Sequence, residues 1–121
     1  MARILNLAGG MVLLAATAFA ADTSAGQKAF QGQCAICHSA VAGGKENGSS
    51  LYDVVGRTSG TLDGYSYSAI MKKAGLTWSP PELTTYLAAP AKAVPGTKMM
   101  YPGLHDAAKL DALIAYLATL K

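Results

Sequence analysis

The sequence predicts an all-α fold, in which short helices and loops form one small domain. Four aliphatic side chains near the C-terminus recur at helical spacing, and these are Leu110, Leu113, Ile114 and Leu117. No segment shows the pattern of a strand that would pair with another. The 121 residues suffice for a single compact domain, and no internal repeat or linker divides them.

The first twenty residues have the pattern of a secretory signal peptide. Arg3 precedes a stretch without charge, residues 4–20, which ends in the small-x-small triplet Ala18-Phe19-Ala20. We expect cleavage after Ala20, which leaves a domain of residues 21–121. A retained membrane anchor is the alternative, but the apolar part from Met11 is shorter than the ~20 residues that a span needs.

The small net charge argues against a nucleic-acid partner. The formal net charge is +3, and it falls to +2 when Arg3 is removed with the signal peptide, because nine basic and seven acidic residues remain. Nucleic-acid binding usually requires a strongly basic face. We therefore expect no nucleic-acid partner.

The first two predicted helices are short. Residues 24–32 form the first, which ends near Gly32 and places Phe30 and the cysteines on adjoining turns. Residues 41–64 are rich in Gly, Ser, Asn and Asp and are predicted to be loop. Residues 67–73 form the second short helix.

The remaining helices have clearer ends. Ser79 caps the next helix, Pro80 fits its first turn and Glu82 completes a capping box. This helix runs to about residue 88 and stops before Pro90. Asp106 caps the last helix, which carries the aliphatic stripe.

The two cysteines belong to the run Cys34-Ala35-Ile36-Cys37-His38, the attachment signature of a c-type haem. The two thiols add to the two vinyl groups of the haem, and the adjacent histidine supplies an imidazole to the iron as proximal ligand. We expect one haem c per chain, bound through Cys34 and Cys37.

Three other interpretations of these cysteines are weaker. A disulfide between Cys34 and Cys37 would close a tiny loop and add little stability. A thiol–disulfide redox motif usually follows a strand and begins a helix, a pattern that the sequence lacks. A structural zinc site needs two more ligands, and only His105 and scattered carboxylates remain.

A buried haem would also complete the core. Phe30 and Trp78 are the only Phe and Trp of residues 21–121, so few large side chains are available. A porphyrin provides a large apolar body for the other side chains to pack on. Without it we expect little stable structure.

A second axial ligand can come from four side chains, Met71, Met99, Met100 or His105. The preceding Pro95-Gly96 pair forces a turn, which presents Met99 on a loop able to reach across a haem face. Met71 lies in a helical segment and is expected in the core. Met100 is the next candidate, and His105, which would give a bis-histidine haem, is expected to lie exposed at the start of the last helix.

The attachment motif at 34–38 and the methionine loop at 95–99 resemble those of small class I cytochromes c, a family that includes mitochondrial cytochrome c and bacterial periplasmic relatives. The resemblance extends from Gly26 to Leu120. It implies the small cytochrome c fold, with four to five short helices wrapped around one covalently bound haem and with crossing terminal helices. Gly26 and Phe30 would meet Leu113 and Tyr116 at this crossing.

The resemblance also assigns roles around the haem. Arg57 matches an arginine that neighbours a haem propionate. Tyr67 and Trp78 match residues that hydrogen-bond propionates, and Tyr86 matches a tyrosine near the axial sulfur. The predicted cofactor-binding residues are therefore Cys34, Cys37, His38, Met99, Arg57, Tyr67, Trp78 and Tyr86, with His38 and Met99 as ligands of the iron.

The sequence departs from the family pattern at several positions. The run Asn47-Gly48-Ser49-Ser50 replaces a proline segment whose carbonyl accepts a hydrogen bond from the proximal imidazole, and Ser49 retains that carbonyl. Met71 replaces a polar residue, which predicts a drier pocket. The basic ring at the haem edge is thin: Lys28, Lys45, Lys92 and Lys98 can contribute, but Gln33 and Asp106 stand where mitochondrial forms carry lysine.

Together these features predict a soluble, monomeric, periplasmic one-electron carrier that is not an enzyme and has no small-molecule substrate. Its partners would be membrane or periplasmic redox proteins that dock transiently at the haem edge, with weak steering by lysine. One alternative is a peroxidase or sensor with an open iron site. Another is a haem subunit fixed to a dehydrogenase, which would favour retention of residues 1–20 as an anchor.

Overall fold

Five helices make up the regular structure of residues 23–121, the part of the chain that the computed structural model describes. They are α1 Ser24–Gln33, α2 Ala69–Ala74, α3 Pro80–Ala88, α4 Pro90–Ala93 and α5 Ala107–Leu117. These residues contain no strand, only an isolated antiparallel bridge between Thr58 and Thr77. The all-α prediction is therefore confirmed. The predicted signal peptide and its cleavage after Ala20 lie outside the described residues.

The helices α3 and α5 begin where their capping residues predict. The Ser79 hydroxyl accepts a hydrogen bond from the Glu82 amide at 3.3 Å, and the Asp106 carboxylate accepts one from the Lys109 amide at 3.1 Å. Helix α3 ends at Ala88, ahead of Pro90, as expected. In residues 23–121 no helix has the length and apolarity needed to cross a membrane.

Two helix boundaries differ from the prediction. Helix α2 begins at Ala69 rather than at Tyr67, because the Ser68 hydroxyl accepts a hydrogen bond from the Met71 amide and makes Ser68 the N-cap. The one-turn helix α4 was not predicted. Pro90 cannot continue α3, but its fixed φ suits the first position of a new helix.

The helices α1 and α5 cross through a glycine, as the family resemblance implies. A Cβ atom at Gly26 would overlap the backbone carbonyl of Ala112 and lie 2.7 Å from Tyr116 Cβ, so only glycine allows this approach. The Phe30 and Tyr116 rings pack with centroids 5.6 Å apart. Leu113, also predicted at the crossing, is 1% exposed.

The core follows the stripe of α5 and borders the functional site. All four stripe residues are buried. The other buried apolar side chains are Phe30, Val54, Met71, Trp78, Leu83, Tyr86, Val94 and Leu104. Several of these core residues also line a cavity, which therefore borders the packed interior.

Candidate haem site

A cavity of ≈ 440 Å³ brings the predicted site residues together. Its lining includes all eight of them, namely Cys34, Cys37, His38, Arg57, Tyr67, Trp78, Tyr86 and Met99. The volume lies within the ~300–1,000 Å³ range of cofactor pockets. A second cavity of ≈ 480 Å³ shares Arg57 but is lined by neither cysteine nor by His38 or Met99. The chemistry of the lining, not the volume, thus identifies the site.

The imidazole of His38 is held by one hydrogen bond in the orientation that metal binding requires. The chain turns after α1, and the His38 amide donates to the Cys34 carbonyl at 2.8 Å. Nδ1 lies 2.6 Å from the Ser49 carbonyl oxygen. Because a carbonyl can only accept, Nδ1 carries the proton, and Nε2 keeps the lone pair that would bind iron. Ser49 thus provides the hydrogen-bond acceptor that the missing proline would have positioned.

Gly48 packs directly against the same ring and was not identified from the sequence. A Cβ atom at this position would lie 2.5 Å from Cε1, 2.7 Å from Nδ1 and 2.9 Å from Nε2 of His38. The Gly48 amide also donates to the Cys37 carbonyl at 2.7 Å, which ties the loop to the attachment motif. The absence of a side chain at Gly48 therefore determines where the imidazole lies.

The two cysteines form no disulfide and differ in exposure. Cys34 is half-buried, whereas Cys37 is exposed. Burial, together with the smaller effect of the neighbouring Cys37 thiolate charge, raises the pKa of the Cys34 thiol to about 11. At neutral pH Cys34 is therefore a thiol rather than a thiolate. Both sulfurs line the same cavity, as attachment to one haem requires.

Two candidates for the second axial position, Met99 and Met100, lie in the methionine loop and differ in burial. The turn is present, since the Thr97 amide donates to the Val94 carbonyl at 2.9 Å around Gly96, whose φ is 84°. Met99 and Met100 both line the cavity, but Met99 is partly buried against the core, whereas Met100 is 96% exposed.

The other two candidates occupy the places that the sequence indicates. Met71 is buried in the core and lines the cavity from α2. His105 is exposed just before α5 and is not part of the cavity lining. Met99 is thus partly buried, lines the cavity and lies outside a helix, and its role as axial ligand remains a prediction.

A polar chain connects Tyr86 with the Met99 backbone. The Tyr86 hydroxyl lies 2.9 Å from the Thr97 hydroxyl, which also accepts a hydrogen bond from the Met99 amide at 3.5 Å. Burial raises the pKa of Tyr86, Tyr65 raises it slightly, and the bond to Thr97 opposes this effect. Tyr86 is therefore a neutral phenol at pH 7. Thr97 was not identified as a site residue from the sequence.

Arg57 keeps its positive charge available at the cavity. It donates to the Tyr52 carbonyl at 3.2 Å and to the Ser50 carbonyl at 3.1 Å. Both acceptors are neutral, so these bonds orient the guanidinium without neutralising it, and further N–H groups remain for another acceptor.

Tyr67 and Trp78 also line the cavity. The Tyr67 hydroxyl accepts a hydrogen bond from the Leu62 amide at 3.2 Å, so its own proton can be donated elsewhere. Trp78 is buried, with its ring centroid 4.9 Å from that of Tyr86. Both residues therefore line the cavity, and their bonds to haem propionates remain predictions.

Lys98 differs in part from its expected role as a steering charge. Its ammonium group donates to the Ser66 carbonyl at 2.8 Å and lies 5.2 Å from the centroid of the Tyr65 ring. The Tyr65 hydroxyl in turn donates to the Asn47 carbonyl at 3.1 Å. Lys98 therefore joins the methionine loop to the loops near His38.

These residues fit a covalently bound haem. The cavity combines two thiols, an imidazole with an available Nε2, a thioether and a guanidinium with unused donors. The other lining side chains include Leu51, Val54, Leu83, Leu87 and Leu113, which suit a flat apolar body.

Comparisons with known proteins agree with this fit. A sequence model of the cytochrome c family matches residues 23–121. Cytochrome c2 from Rhodopila globiformis is 47% identical over 100 residues, which cover 83% of this chain and 94% of the relative. Cytochrome c from Guizotia abyssinica is 46% identical over 103 residues, which cover 84% and 93%.

A solved structure is also similar. Cytochrome cH from Methylobacterium extorquens superposes with a TM-score of 0.76 at 46% identity, covering 81% of this chain and 98% of that protein. With the attachment motif at Cys34 and Cys37 and the helical fold around its cavity, the chain belongs to the cytochrome c family, as a class I cytochrome c that carries covalent haem c.

Proposed function

We propose that this protein is a soluble, periplasmic one-electron carrier, and that His38 and Met99 are the axial ligands of its haem iron. One observation carries the proposal. A single cavity is lined by both cysteines, by His38, whose Nδ1 is hydrogen-bonded, and by Met99, which is distant from them in the sequence. Electron transport with haem is the activity of the family.

The axial residues suit electron transfer with little rearrangement. When bound, the haem supplies an iron that changes oxidation state by one electron. Nε2 of His38 and the sulfur of Met99 would occupy both axial positions in either state, so no ligand needs to enter or leave. The thioether and the apolar surroundings favour the reduced state and raise the reduction potential.

The remaining predicted site residues would hold the propionates. Arg57 supplies a positive charge and unused N–H donors, because its present acceptors are carbonyls. Tyr67 supplies its hydroxyl proton, and Trp78 its indole N–H. If His38 and Met99 both bind the iron, no position would be left open for a substrate, which would suit a carrier rather than an enzyme.

Transient redox partners follow from the family, and the rim of the cavity indicates how they would dock. Ile36 is 83% exposed and Met100 is 96% exposed, and both line the cavity. The nearby Lys98 is already bound to a carbonyl. We infer that partners dock through apolar contact at this rim, with weak guidance by the other exposed lysines.

Export of the protein is supported by two features. The signal-peptide pattern of residues 1–20 directs secretion, and haem attachment through two thioethers suits a chain that leaves the cytoplasm. One of the relatives, the protein from Rhodopila globiformis, is a bacterial cytochrome c2. N-terminal sequencing of the protein purified from periplasmic extract should begin at Ala21. A mature chain that retains residues 1–20 would instead support the anchored subunit.

The function is tested by redox titration and by kinetics on the purified holoprotein. We expect one reversible one-electron transition and rapid reduction or oxidation by membrane fractions of the source cells. The rate should fall with added salt by less than about tenfold, because steering effects range from ~10 to 10³ and few lysines are available. Turnover of peroxide, or ready binding of carbon monoxide by the reduced protein, would indicate an open iron position and contradict a carrier.

A further inference from the structure

Two hydrogen bonds fasten the segment around Met99 to different parts of the protein. On one side, the Lys98 ammonium donates to the Ser66 carbonyl at 2.8 Å. On the other side, the Tyr101 hydroxyl donates to the Gln33 side-chain oxygen at 3.0 Å. Met100 lies between them and is 96% exposed, so it contributes little packing to this segment.

The Tyr101–Gln33 bond joins two parts of the chain that would each be attached to the haem. Tyr101 follows Met99 by two residues, and Gln33 is the last residue of α1, directly before Cys34. The two side chains are 68 residues apart in sequence, and both line the cavity. The bond therefore closes the rim between the methionine segment and the attachment motif.

Gln33 is a fixed point for this bond. Helix α1 packs on α5 through Gly26 and through the tilted rings of Phe30 and Tyr116, so its end is not free to follow a moving loop. The segment after Met99 lies outside any helix until α5 begins. Loss of the bond would thus release the loop and leave the helix in place.

We propose that Tyr101 is a positioning residue, which through Gln33 holds the methionine segment closed and keeps the sulfur of Met99 at the iron. The inference rests on the proposed role of Met99 as ligand. Without the Tyr101–Gln33 hydrogen bond, the methionine segment would open more often. A small external ligand would then compete more successfully with the Met99 sulfur for the iron.

The test is a double-mutant cycle on ferric holoprotein, with imidazole as the competing ligand. Tyr101→Phe keeps the ring and removes only the hydroxyl, Gln33→Ala removes the acceptor, and the third variant combines both. Gln31→Ala is the matched control, because Gln31 is an exposed glutamine one half-turn earlier in α1. Binding is followed by loss of the far-red band that methionine sulfur gives on ferric haem.

Each single variant should bind imidazole roughly twofold to tenfold more tightly, the effect of one net hydrogen bond. The double variant should bind no more tightly than the singles, and Gln31→Ala should match the unmodified protein. Amide exchange at Met99 and Met100 should accelerate by the same factor, while exchange in α5 stays unchanged. This pattern would identify local opening rather than general destabilisation.

Three results would overturn the inference: unchanged imidazole affinity in both single variants, additive effects in the double variant, or an equal effect of Gln31→Ala. Failure of the proposed function has a different signature. If the unmodified ferric protein lacks the far-red band, Met99 is not the ligand and both the proposed function and this inference fail. If the band is present but neither single variant changes the imidazole affinity, only the proposed role of Tyr101 is wrong.

Discussion

The crossing of α1 and α5 through Gly26 makes a sharp prediction about stability. Gly26→Ala has two opposing effects. Alanine favours a helix interior by about 1 kcal/mol over glycine. Its Cβ atom, however, would overlap the Ala112 carbonyl and lie 2.7 Å from Tyr116 Cβ, and overpacking costs about 1–3 kcal/mol. A backbone carbonyl cannot rotate away, so the overpacking cost should lie at the upper end, about 3 kcal/mol, and the gain of about 1 kcal/mol leaves a net loss of about 2 kcal/mol in the free energy of unfolding.

Gly32 provides the matched control, because it lies in the same helix and a Cβ atom there would meet nothing within 4 Å. Gly32→Ala should therefore gain about 1 kcal/mol. Thermal unfolding of the holoproteins, followed by circular dichroism, should show a Tm roughly 10 °C lower for Gly26→Ala. A Gly26→Ala protein as stable as the unmodified one would refute the packing argument.

Two further predictions concern the haem and its histidine. Gly48→Ala should push the His38 ring off the Ser49 carbonyl and raise the midpoint potential by at most roughly 40 mV, because the lost hydrogen bond counts only by its difference in strength between the two oxidation states. Ser49→Ala keeps that carbonyl and should leave the potential unchanged. Redox titration of both variants distinguishes them. A chain that carries Cys34→Ala and Cys37→Ala should fail to bind haem and should be largely unfolded by circular dichroism. Without the haem, the apolar side chains that line the cavity of ≈ 440 Å³ would lose the body they pack on, and a small domain has little stability to spare. A cooperatively folded haem-free protein would contradict this reasoning.

The parts of the fold that the sequence predicts well depend on residues close together in the chain. The caps of α3 and α5 each join residues three apart, Ser79 to Glu82 and Asp106 to Lys109. The aliphatic stripe of α5 repeats over two turns and is buried throughout. Such local patterns need no knowledge of the tertiary structure. The attachment motif at 34–38 is local in the same sense.

The interactions that the sequence analysis missed join distant residues. Tyr65 reaches Asn47 over 18 residues, and Tyr101 reaches Gln33 over 68. Gly48 acts only by leaving space beside His38, and nothing in its own neighbourhood of the chain indicates that the imidazole lies there. Helix α4 was missed because Pro90 was interpreted only as the end of a helix, although it can also begin one.

The central claim is that Met99, and not its neighbour, completes the coordination of an electron-carrying haem. Its most direct test is the far-red absorption band of methionine sulfur on ferric haem, compared in Met99→Ala and Met100→Ala holoproteins. Because Met100 is 96% exposed, the band should persist in Met100→Ala and be absent from Met99→Ala. A band that survives in Met99→Ala, or that disappears only in Met100→Ala, would contradict the assignment of the axial ligand.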